Sequence, residues 1–107
     1  MKLAIILNTN EAESVWNAFR LGVTALGKKN SVKIFLLGKG VECQNTQGKA
    51  FDVKKMMGAF AKMGGTILAC GTCLKTRGQK TPAACSVSTM EELLQAIEWA
   101  DKIITLG

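Results

Sequence analysis

Histidine and tyrosine are both absent from this 107-residue chain, and proline occurs once. Without imidazole, the usual proton acceptor near neutral pH is missing. Sulfur is then the nucleophile best able to act without a partner base. The lack of tyrosine, and of any aromatic RNA-binding motif, argues against nucleic acid as a partner. Long apolar runs are missing too. The run Leu3-Ala4-Ile5-Ile6-Leu7 stops at a polar Asn8-Thr9-Asn10 turn, too short for a signal-peptide core or a membrane span. A cytoplasmic location without membrane contact is expected. No repeat, low-complexity tract or linker interrupts the chain, so residues 1–107 read as one domain.

What is present fits a small globule. Apolar residues make up 48% and charged residues 21% of the chain, enough to build a core and stay dissolved. The net charge of +6 comes from lysines scattered between Lys28 and Lys80. It reads as solvated helix faces with some steering of anionic partners.

Residues 2–7, 32–37, 66–69 and 102–106 have the apolar runs of buried strands, and residues 81–87 hold a further short strand. Residues 11–26 read as a helix with an acidic first turn and an apolar stripe of Val15, Trp16, Phe19, Val23 and Leu26. Gly27 and the polar residues after it end that helix. Asn8, Asn10 and Glu13 read as capping residues first and site-lining residues second. Residues 38–40 are expected to turn and residues 41–49 to form a loop. A second helix opens at Phe51 or Asp52, with Val53, Met56, Met57, Phe60 and Met63 on its buried face. A short basic helix covers residues 74–78. Ser88 or Thr89 caps a last helix whose buried stripe is Met90, Leu93, Leu94 and Ile97. The alternation of strands and helices predicts an α/β fold: a mostly parallel sheet of about five strands with helices on both faces, in flavodoxin-like layering. Chemistry in such sheets gathers at the carboxyl ends of strands. Asn8 to Asn10, Gly38 to Cys43 and Cys70 to Cys73 all belong there.

Four cysteines in a reducing compartment suggest reactivity more than a disulfide framework. Cys70-Gly71-Thr72-Cys73 stands at a strand-to-helix turn, where exposed backbone N–H groups favour a thiolate. Lys75 and Arg77, with Lys80, are expected to lower the thiol pKa toward neutrality. Cys70, at the helix edge, is the expected nucleophile, with Cys73 one turn along. No second Cys-x-x-Cys pair is present to complete a zinc site, so no metal and no cofactor is expected. Cys43 and Cys85 read mainly as loop thiols, with a second sulfur-carrying or redox role as their functional reading.

These residues carry a resemblance. The Cys70-Gly71-Thr72-Cys73 block running into Arg77-Gly78, with residues 7–20, 35–41 and the closing 88–105 segment, is similar to the DsrE/DsrF-like family and its small YchN-like proteins. The resemblance implies an α/β layered subunit that assembles into homotrimers or homohexamers. In the family's sulfur-relay members a cysteine followed, after six residues, by Arg-Gly accepts sulfane sulfur as a persulfide and passes it to a partner protein. That spacing falls on Cys70 and Arg77-Gly78, and Cys73 matches the second cysteine of the YchN-like members. A sulfur carrier or sulfurtransferase with donor and acceptor proteins as partners is therefore the leading expectation. A thiol-disulfide or redox-sensing protein using Cys70 and Cys73, and a non-enzymatic oligomeric subunit, are the alternatives.

Overall fold

Among the described residues, aliphatic runs form five strands: β1 (Lys2–Leu7), β2 (Ser31–Leu36), β3 (Thr66–Cys70), β4 (Ser86–Ser88) and β5 (Lys102–Leu106). The computed structural model describes residues 1–46 and 50–107. The strands lie in the order β4-β3-β2-β1-β5, and every neighbouring pair is parallel. Parallel strands require crossovers, and here helices supply them: α1 (Ala12–Gly27), α2 (Val53–Lys62), the six-residue α3 (Gly71–Thr76) and α4 (Met90–Trp99). The expected parallel sheet with helices on both faces is what the chain forms.

Alternation along the strands explains the two faces. Leu3, Ile5 and Leu7 of β1 stand beside Val32, Ile34 and Leu36 of β2, all nearly or fully buried. This face meets α1 and α2. The two helices pack tightly enough that a methyl on Gly22 would lie 2.6 Å from the Phe60 ring, and Phe19 meets Phe60 edge-on at 5.7 Å. The opposite face carries Lys33 on the central strand β2. Trp99 at the end of α4 stands over its ammonium group at 4.4 Å, so α4 covers this second side and answers the half-buried charge with its ring.

Several boundaries depart from the sequence reading. Gly27 remains helical, and the left-handed residue that turns the chain is Lys29, at φ 67°. Glu11 caps α1: its carboxylate accepts the N–H groups of Glu13 and Ser14 at 2.8 and 3.0 Å. Neither Asn8 nor Asn10 serves that role. The stretch expected as a turn and loop is a 3₁₀ helix over Gly38–Asn45; Gln47, Gly48 and Lys49 of that stretch lie outside the described residues. The α2 stripe stops at Phe60, because the helix ends at Lys62 and leaves Met63 exposed at its cap. In α4, Leu93 and Ala96 are buried, whereas Met90 and Leu94 are 58% and 57% exposed.

Candidate functional site

The carboxyl ends of β1, β2 and β3 come together at one rim. The helix after β3 begins at Gly71, three residues earlier than its sequence pattern shows, so Cys70 is its cap residue and Cys73 lies inside its first turn. Cys70 Sγ accepts the Cys73 N–H at 3.4 Å. Cys73 Sγ in turn accepts the N–H of Gly38 at 3.2 Å, from the first residue of the 3₁₀ helix. Gly38 sits at φ +56°, a conformation that L side chains rarely adopt, and a methyl placed on it would collide with Asn8 Oδ1. The loop after β1 therefore stands directly over the residue whose amide meets Cys73.

A second set of contacts ties the same segments together. Arg77 donates to the Cys73 carbonyl at 3.3 Å, and its Nε lies 3.9 Å from Glu42 Oε2. Glu42 Oε2 also accepts from Asn10 Nδ2 at 3.1 Å. Gln79 donates to the Val41 carbonyl. The three expected loops thus share one rim, and Asn8, Asn10, Arg77, Cys70 and Cys73 are brought together there. Lys75 is exposed, and among the described residues no hydrogen bond or ion pair joins it to either sulfur. Sequence reading missed Glu42 and the Gly38 amide. A glycine directly after a strand end was the available signal for the second; nothing in the sequence marked Glu42.

The electrostatics correct one expectation. Cys70 is only 3% exposed, and burial, with the adjacent Cys73 thiol, raises its pKa above the ordinary thiol value. The N–H groups of Cys73 and Thr72 oppose that rise without reversing it. A helix of six residues offers too little dipole to overcome desolvation. Arg77 spends its charge on a carbonyl and on Glu42, not on the Cys70 thiol. Cys70 nevertheless borders a surface cavity of about 600 Å³, shared with Thr72, Val87, Ser88, Met90 and Glu91. Ser88 Oγ, on the strand beside it, is held by Glu92 at 3.1 Å.

Cys43 and Cys85 stand elsewhere. Cys43 is fully buried in the core, with its sulfur 3.9 Å from Met57 Sδ. Burial, and secondarily Cys85, push its thiol up to about 12. Cys85 is half-buried, and burial pushes it up to about 12 as well. Cys43 faces inward because the segment coils into a 3₁₀ helix packed on α2, so it supplies no reactive thiol to the rim. All four cysteines are free. Among the described residues no group of three or more Cys, Asp or Glu side chains is placed to hold a metal ion.

The DsrE/DsrF-like family model matches residues 1–106. The chain belongs to that family. Its members are associated with sulfur relay in general. The uncharacterized protein MJ0989 of Methanocaldococcus jannaschii is 26% identical over 113 aligned positions, covering 98% of this chain and 99% of the relative. The crystal structure of the Escherichia coli ychN protein superposes with a TM-score of 0.84 at 21% identity, covering 99% of this chain and all of that one. The structure of MTH1491, a protein of unknown function from Methanobacterium thermoautotrophicum, gives 0.74 at 12% identity, over 97% of both chains. At these identities the structures speak for the fold alone. Among the described residues no helix is long and apolar enough to cross a membrane.

Proposed function

We propose that the Cys70–Cys73 pair carries sulfane sulfur as a protein persulfide, accepting it from a donor protein and delivering it to an acceptor protein in the cytoplasm. The observation that carries this reading is the pairing itself. Two free thiols share one helical turn at the carboxyl rim of the sheet, each sulfur accepting a backbone N–H. Family membership supports the same chemistry. The transfer needs no external base or metal: a thiolate of the pair attacks the outer sulfur of a donor persulfide, and the donor thiolate leaves. Arg77 holds the pair's backbone, and Asn8 and Asn10 hold the opposing loop. Lys75, exposed one turn along, contributes local positive charge that favours an anionic donor. Cys85 stays in reserve as a half-buried thiol with its proton on. The working unit is an assembly of identical subunits, a trimer or hexamer.

Intact-mass analysis after incubation with cysteine persulfide tests the reading. Wild type gains one sulfur atom, and the Cys70→Ser/Cys73→Ser double variant gains none. Equal gain by both proteins sinks the proposal. The adjacency of the two thiols also favours a second reading, thiol-disulfide exchange. That chemistry requires both cysteines, whereas sulfur carriage requires only the one that attacks the donor.

A further inference from the structure

We propose that Cys73 is the sulfur of the pair that carries the negative charge, and that the Gly38 amide is its built-in donor, held in place by the strand-end loops. The inference rests on the reading of the pair as a sulfur carrier and assigns the two cysteines different tasks. Sequence position favours Cys70 as the attacking atom; the packing favours Cys73.

Three observations bear on this. The first is exposure: Cys73 is half-buried, whereas Cys70 is 3% exposed. A nucleophile that must reach a sulfur on another protein needs the open position. The second is the donor. The Gly38 N–H reaches Cys73 Sγ at 3.2 Å, closer than the 3.4 Å contact at Cys70. A neutral thiol is a weak acceptor and a thiolate a strong one, so a fixed N–H at this place stabilises the charged form selectively. The third is that the donor is held, not incidental. Gly38 adopts φ +56° beneath the Asn8 side chain. The backbone on either side is anchored by Leu37 N–H to the Leu7 carbonyl at 3.0 Å and Gly40 N–H to the Leu37 carbonyl at 2.9 Å. On the far side, Arg77 and Gln79 fasten the 3₁₀ helix to the segment that carries Cys73. An amide that cannot turn away acts as preorganised electrostatic support.

The charged and titratable groups on the segments that meet at Cys73 are Cys70, Lys75 and Arg77 on its own side, and Lys39, Glu42 and the core-facing Cys43 on the 3₁₀ helix. Arg77 and Glu42 face each other, so their charges largely offset. The Gly38 amide is then the directed contribution.

The chemistry follows with its atoms in balance. The Cys73 thiolate attacks the outer sulfur of a donor persulfide; the new bond joins Cys73 Sγ to that sulfur, the donor S–S bond breaks, and the donor leaves as a thiolate. No electron is gained or lost overall, and the outer sulfur keeps its own proton or negative charge. In delivery an acceptor thiolate attacks the outer sulfur, and Cys73 departs as the thiolate that the Gly38 amide receives again. The amide therefore acts at both ends of the cycle, because a stabilised thiolate is also the better leaving group. Cys70, still carrying its proton, lies beside this sulfur without competing for the donor.

The test is the pH dependence of alkylation at each cysteine, resolved by peptide mass spectrometry, in wild type and in Gly38→Ala. Cys73 in wild type should react fastest of the four at neutral pH. Gly38→Ala should slow it there by about tenfold, the scale of one hydrogen bond to a charged group, and should move its profile to higher pH while Cys85 is unchanged. In case Gly38→Ala does not fold, the Gly38 amide resonance of the wild type supplies an independent readout. It should shift with the same pH midpoint as Cys73 alkylation and stay still in Cys73→Ser. A Gly38 resonance indifferent to Cys73, or a Cys73 profile unmoved in folded Gly38→Ala, overturns this assignment. Neither outcome touches sulfur loading, which the double serine variant judges separately.

Discussion

At the scale of single residues, burial is the largest influence on three of the four thiols, Cys43, Cys70 and Cys85, and raises each of them. Cys43 and Cys85 lose to burial, and both are pushed up to about 12. Both bind their protons more tightly when folded than when unfolded. The stability they contribute is therefore complete below the free thiol value of about 8.5 and is lost as pH rises through the folded values. Urea unfolding midpoints should accordingly fall from about pH 9 upward, and Cys43→Ala should flatten that decline. The same replacement leaves a small void beside Met57 and costs about 1 kcal/mol at neutral pH. A midpoint independent of pH over that range contradicts the assignment. The site itself was half legible in the sequence. Cys70, Cys73, Arg77 and the two strand-end loops were all visible as a rim, because parallel sheets put their working loops at strand ends. The relative state of the two sulfurs was not, since it depends on how much neighbouring chain covers each one. Cys70 looks favoured from its place before a helix, but the helix has only six residues and the thiol is 3% exposed.

At the scale of elements, the strands and the long helices follow from pattern almost directly, because buried parallel strands and a 3.6-residue stripe leave little alternative. The departures have local causes. The segment after β2 carries glycines at positions 38 and 40 and reads as a turn, yet it coils because Val41 and Cys43 both find core to enter. Met63 continues the apolar spacing of α2, but the helix ends at Lys62 and the chain turns away at the left-handed Gly64. The α1–α2 contact offers a sharp check. Gly22→Ala would push a methyl into the Phe60 ring, and over-packing of this kind costs about 1–3 kcal/mol. Thermal unfolding should show that loss without any change in thiol reactivity; an unaltered midpoint would mean the two helices are not in such close contact. The Glu11 cap supplies a pH counterpart. Its carboxyl is held below the usual range by the Glu13 N–H, the Ser14 hydroxyl and the Ser14 N–H. Its support for α1 is thus present above the ordinary glutamate value and lost as pH falls through the lowered one. Replacing Glu11 with Gln should remove that acid-side dependence in helix content measured by circular dichroism.

At the scale of the whole molecule, the two faces of the sheet are unequally covered. One carries α1 and α2; the other has α4 alone, and Met90, Leu94 and Ile103 remain 58%, 57% and 45% exposed. The helix on that side bears Glu91, Glu92 and Glu98 and no basic residue, although the chain as a whole carries +6. Assembly of identical subunits would bury such a surface, and the Cys70 cavity opens beside Val87 and Met90. Sedimentation should therefore give a species larger than one chain for the wild type and a smaller one for Met90→Lys/Leu94→Lys; a monomeric wild type removes assembly from the account. The proposed chemistry has a more direct trial, made on the intact wild-type protein. Load it with a persulfide, trap the outer sulfur with an alkylating reagent, and locate the trapped atom by peptide mapping. The sulfur should be found on the peptide containing Cys70 and Cys73. Sulfur recovered on Cys43 or Cys85, or on no cysteine at all, contradicts the claim that this pair carries it.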